Sequence, residues 1–92
     1  MSEYVEIHTE SGDEPDTLLI ETNVQLAVDE AEQYNSVEGL EEGSPLAQAL
    51  AFVPGIRQVT LEGRTMTVRH DPAVPLHVIV ADISAVIRDF FL

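Results

Sequence analysis

Ninety-two residues suffice for one modest hydrophobic core and not for two, so we expect a single domain over residues 1–92. Apolar content of 45% excludes a disordered chain, and no apolar run approaches the roughly 18 residues that cross a bilayer. Seventeen acids face four bases, all arginine, and there is no cysteine; the charge repels phosphate backbones and anionic lipid, and the missing thiols exclude disulfides, cysteine nucleophiles, thiolate zinc sites and an iron–sulfur cluster held by the chain itself.

Residues 4–10 alternate with period two, Val5 and Ile7 pointing one way and Tyr4, Glu6, His8 and Glu10 the other. Residues 11–16 are turn chemistry, and residues 17–22 read as a second strand with Leu18 and Ile20 inward, Leu19 and Glu21 outward. The two strands suggest a hairpin with a longer, acidic loop.

Residues 23–43 carry a mixed signal. Val24, Leu26 and Val28 alternate, yet residues 27–32 suit a short helix equally well. We read this part as extended, partly irregular chain, with Tyr34 as an apolar anchor and residues 36–42 as a helical turn.

The next helix has clear ends. Ser44 is a good N-cap and Pro45 suits the first helical position, where its missing N–H costs nothing. Leu46, Ala47, Leu50 and Phe52/Val53 follow at helical spacing, and Pro54-Gly55 stops the helix. Residues 56–62 then read as a strand with Val59 and Leu61 inward, Glu62-Gly63-Arg64 as a tight turn, and residues 65–70 as a strand with Met66 and Val68 inward. From Leu76 to Phe91, the residues Leu76, Ile79, Val80, Ile83, Val86, Ile87 and Phe90 form one apolar helical stripe, the largest single contribution to the core.

The order is β-β-α-β-β-α. Each hairpin and each helix has one apolar side to bury, which predicts an α+β, two-layer fold: an antiparallel four-stranded sheet with two helices on one face. The other face then displays Tyr4, Glu6, His8, Leu19, Glu21, Gln58, Thr60, Thr65, Thr67 and Arg69 to solvent.

Ser44-Pro45-Leu46-Ala47, Val53-Pro54-Gly55-Ile56, Met66-Thr67-Val68 and the terminal Ile87-Arg88-Asp89-Phe90-Phe91 resemble the N-terminal domain of the Nfu/NifU scaffold family. Glu14-Pro15-Asp16-Thr17-Leu18 is similar to that family's Pro-Asn-Pro-Asn-Ala-Leu stretch, and Tyr34 stands where the family has an aromatic. The resemblance runs over about residues 4–91, with Ser44, Pro45, Leu46, Pro54 and Gly55 as its structural motif. It implies a role in iron–sulfur cluster biogenesis. In that family the cluster sits on a separate C-terminal domain with a Cys-x-x-Cys pair, which this chain lacks. The expectation is therefore a standalone, non-enzymatic protein-interaction domain without a cofactor or cluster site of its own. Its partner is an iron–sulfur scaffold, carrier or client.

Residue by residue, little chemistry competes with that reading. His8 and His70, with Glu6, Glu10, Asp71 and Asp82, supply the donor types of a divalent-metal or hydrolytic site, but no His-x-x-His or His-Glu-x-x-His spacing is present. Asp13, Glu14 and Asp16 lack the periodicity of a calcium loop, and Ser44 lies in no nucleophile elbow. On the open sheet face, Tyr4, Leu19 and Arg69 are residue types favoured at contact centres; with Glu6, His8, Glu21 and Thr67 they form the candidate protein-interaction surface. The alternatives are the metal-binding or hydrolytic protein using His8/His70, and a folded module of unassigned role. We expect a monomer or weak dimer. Met1-Ser2-Glu3 lacks the regions of a signal peptide, so the expected location is cytoplasmic. Residues 1–56 hold thirteen acids and no base, while residues 57–92 hold four of each.

Overall fold

Alternation of apolar and polar residues sets the frame. A computed structural model describes residues 5–12, 14–27 and 30–91. Five strands, β1 (Ile7–Ser11), β2 (Thr17–Thr22), β3 (Glu32–Tyr34), β4 (Ile56–Glu62) and β5 (Thr65–His70), form one antiparallel sheet in the order β1-β2-β5-β4-β3. Three helices, α1 (Val37–Glu41), α2 (Pro45–Leu50) and α3 (Leu76–Phe91), complete the described elements. The two hairpins are as expected, and β2 pairs with β5 to join them, Ile20 lying opposite Met66 and Leu18 opposite Val68.

The sheet has five strands where four were expected, and there are three helices rather than two. The extra strand, β3, is only three residues long and pairs with the outer edge of β4, Tyr34 opposite Val59. Three residues are too few for alternation to announce a strand. The extra helix, α1, is the helical turn read at residues 36–42, held by Ser36, whose hydroxyl accepts from the Gly39 N–H at 3.1 Å.

Leu18, Ile20, Val59, Leu61, Met66 and Val68 are buried on one sheet face, together with Leu40 of α1, Leu46, Ala47 and Leu50 of α2, and Ile79, Ile83 and Ile87 of α3. Their sheet neighbours at odd register, Leu19, Glu21, Gln58, Thr65 and Arg69, are exposed. The helices therefore cover one face and leave the other to water. A register shift between Ile56 and Gln58 makes Arg57 an extra residue in β4. Without it Ile56 would face away from Val59; with it Ile56, Val59 and Leu61 all enter the core while Arg57 and Gln58 both face out.

Helix α2 is capped as its sequence indicates: Ser44 accepts from the Ala47 N–H at 3.3 Å, with Pro45 at the first position. The helix ends at Leu50, so Phe52 falls in the following turn, 87% exposed, and Val53 takes the core position. Gly55 adopts φ 90°, with Val74 3.0 Å from where a Cβ would stand, and its carbonyl accepts from the Asp71 N–H at 2.7 Å. Gly63, at φ 57°, is the first residue of the two-residue β4–β5 turn, as a primed hairpin turn requires. Its carbonyl also accepts from Leu26 at 2.7 Å and Ala27 at 3.2 Å, tying the irregular chain after β2 to the hairpin and burying both residues.

The apolar stripe of α3 is narrower in the structure than in the sequence. Ile79, Ile83 and Ile87, spaced four apart, have no exposed surface, whereas Leu76 and Phe90 at the two ends are 41% and 44% exposed. The terminal turns reach past the layer that would cover them. Ile83→Ala removes three side-chain carbons from the centre of this row and should cost about 2–5 kcal/mol in urea unfolding. Leu76→Ala, at the overhanging end, should cost well under half of that.

Candidate functional site

The open face is built from cross-strand rows. His8 lies opposite Glu21, which lies opposite Thr65. In the next row Glu10, Leu19, Thr67, Thr60 and Gln33 run across all five strands in order. In the third, Thr17 lies opposite Arg69 and Arg69 opposite Gln58. Leu19, 37% exposed, is the apolar centre, flanked by Glu10 and Thr67. A shallow depression of about 490 Å³ opens here, bounded by Glu10, Gly12, Glu14, Thr17, Leu19, Thr67 and Arg69.

Arg69 fixes one wall of that depression. Its guanidinium donates to Glu14 Oε2 at 2.9 Å and to Asp16 Oδ2 at 3.1 Å. The β1–β2 loop is thus clipped onto β5, and the His70 N–H donating to the Asp16 carbonyl at 2.9 Å adds a backbone fastening. Within the loop, Gly12 donates to the Thr17 carbonyl at 2.8 Å; a Cβ at Gly12 would run into the Thr17 side chain. The hydrogen bond from Arg69 is the main reason that the Asp16 carboxyl titrates below its ordinary 3.8.

The sequence-derived site residues divide as follows. His8, Leu19, Glu21, Thr67 and Arg69 share the open face, and Glu6 precedes β1, its N–H donating to Asn23 Oδ1 at 2.9 Å. Tyr4 lies outside the described residues, as do Asp13 and Val28. Ser44, Pro45 and Leu46 form the start of α2, and Pro54 and Gly55 the turn before β4. Glu10 and Thr17 belong to the depression; Thr17 was missed because its place beside Arg69 depends on the β2–β5 register, which sequence does not supply.

His8 and His70 do not converge. His8 is exposed on the open face, whereas His70 follows Met66 and Val68 into the covered one and is 3% exposed. The pair cannot share an ion, so the metal-site alternative loses its two imidazoles to opposite sides of the sheet. Among the described residues no group of three or more His, Cys, Asp or Glu could hold a metal ion. The His70 Nδ1 faces the Asp71 carbonyl at 3.2 Å and must carry the proton there; Nε2 is buried with no partner among the described residues.

Tyr34 is the expected apolar anchor and does more besides. Its ring packs against the core edge, but its hydroxyl is a junction: it donates to Glu32 and accepts from the Ser44 N–H at 3.2 Å. It therefore ties β3 to the start of α2 with polar contacts as well as apolar ones.

Fold and surface together define a small α+β module whose sheet backs onto helices and keeps one face to solvent. The chain belongs to the Nfu/NifU N-terminal family, described as "Scaffold protein Nfu/NifU N terminal", which matches residues 7–92. Two solved structures share the fold. Protein SAV1430 from Staphylococcus aureus has a TM-score of 0.72 at 12% identity, over 89% of this chain and 98% of that one. A NifU-like protein from Saccharomyces cerevisiae has a TM-score of 0.73 at 19% identity, over 90% of this chain and 75% of that one. No curated protein matches.

Two measurements check this site. Because Arg69 depresses the Asp16 carboxyl, the contribution is present above the unfolded carboxyl value and is lost as pH falls through the lower, folded one. Arg69→Met should therefore be slightly less stable than the parent in urea at neutral pH, with the gap closing in acid. His70→Leu removes the buried, unpartnered Nε2, while the Asp71 carbonyl keeps its bond from the Val74 N–H at 3.0 Å. Its unfolding free energy in urea should hold or rise by up to about 1 kcal/mol, and a loss beyond about 2 kcal/mol would mean that the imidazole is satisfied.

Proposed function

We propose that residues 1–92 act as one non-enzymatic protein-interaction domain in iron–sulfur cluster biogenesis, in the cytoplasm, binding a scaffold, carrier or client protein. The observation that carries the reading is the membership of the Nfu/NifU N-terminal family over residues 7–92. The open face adds to it. A sheet covered on one side leaves Leu19 and Thr67 at the centre of the other, within reach of a partner, with Arg69 beside them and Glu6, His8 and Glu21 along the β1 side.

The cluster in this reading is cargo held elsewhere. Ninety-two residues without a cysteine offer it no thiolate, so the domain contributes recognition and not ligation. The acidic surface disfavours nucleic acid and anionic membrane and favours a protein partner with basic patches. No described helix is long and apolar enough to cross a membrane.

Affinity capture from a cell lysate should recover an iron–sulfur assembly protein or client, more strongly at low salt than at high salt. Leu19→Glu places a charge at the centre of the face without entering the core and should reduce capture about tenfold at unchanged far-ultraviolet circular dichroism. Recovery of no such protein at either salt concentration would remove the assignment. Undiminished capture by Leu19→Glu would move the contact to another surface.

A further inference from the structure

A second surface lies on the helical side of the molecule, away from the open sheet face. There the last turn of α3, the start of α2 and the chain before β3 enclose a groove of about 340 Å³, at the lower end of the range for ligand pockets. Its apolar lining is Leu26, Pro45, Leu46, Phe90 and Phe91. Phe90 is not there as core, since nearly half its surface meets solvent; it stands edge-to-face on Phe91, ring centroids 5.0 Å apart at 71°. This geometry presets both rings and leaves the first facing outward.

The charge around this lining has one sign. Glu30 and Glu32 stand in its wall, and no arginine does. Glu32 is held in place by the Tyr34 hydroxyl, which the Ser44 N–H fastens in turn. Beyond the groove, the whole of residues 1–56 carries acids without a base. A neutral ligand would leave that rim unused, and an anionic lipid surface would be repelled by it.

We propose that this groove docks a basic peptide segment of a partner protein, with one or two large apolar side chains entering between Phe90, Pro45 and Leu26 and flanking Lys or Arg side chains meeting Glu30 and Glu32. The apolar anchor supplies the residence time and the cations supply steering and orientation. This contact is separate from the open sheet face and stands whether or not that face binds a partner.

The test is an amide NMR titration of the full chain with a capped synthetic peptide, Lys-Arg-Leu-Phe-Arg-Lys. Shifts should concentrate on Leu26, Ser44, Leu46 and Phe91. Phe90→Ala and Glu30→Gln, both at exposed positions that spare the core, should each weaken binding, the first about tenfold and the second with a shallower salt dependence. A peptide with Gly-Ser in place of Leu-Phe should bind at least about tenfold more weakly. Four results would overturn the proposal: no binding; equal binding of the Gly-Ser peptide, which reports bare charge attraction; shifts spread over the acidic half or centred on Leu19 and Thr67; or a groove already closed by a second copy of the chain, seen as concentration-dependent shifts without peptide.

Discussion

Everything in this molecule hangs on the parity of its sheet. Residues at alternate positions of β2, β4 and β5 enter a single apolar layer, and the row Ile79, Ile83 and Ile87 of α3 closes it with no surface left over. The described residues build one such layer. It covers one sheet face, and the character of the other follows from which residues parity leaves outside. The added residue at Arg57 is part of the same constraint, since it restores Ile56 to the covered side after the strand would otherwise have turned it out.

From that constraint the two surfaces acquire their different characters. Among the described residues the open side is mostly threonine, glutamate and glutamine around one leucine, and the Arg69 guanidinium is occupied in pinning the first loop. Rigid presentation of a mixed polar surface suits recognition. The helical side is different: there the ends of α3 protrude past the layer, leaving aromatic surface beside acidic chain. The acids of residues 1–56 therefore border apolar surface here, as Glu10 does beside Leu19 on the open face.

Much of this could be read before any coordinates. Ser44 and Pro45 define the start of α2 because a cap and a first-turn proline act locally, and Gly63 marks a turn because positive φ is a local demand. The alternation in β2 and β5 was equally plain. What escaped was whatever depends on distant partners. β3 exists through pairing with β4 and through the Tyr34 hydroxyl, neither of which leaves a periodic trace in three residues. Phe52 and Phe90 read as helix-face residues and are exposed, because helical spacing says nothing about where the opposing layer ends. His8 and His70 supply matching donor types, but alternation already turns His8 outward and sends His70 the way of Met66 and Val68, and the structure places them so.

One small detail reaches further than its size suggests. The carbonyl of Gly63 anchors the strap that carries Leu26, and Leu26 is a wall of the helical-side groove. The tightest bend of the central hairpin is thereby a hinge post for a recess built largely by other elements. A substitution that moves that carbonyl would therefore shift Leu26 and change the shape of the recess, although the bend shares no side chain with it.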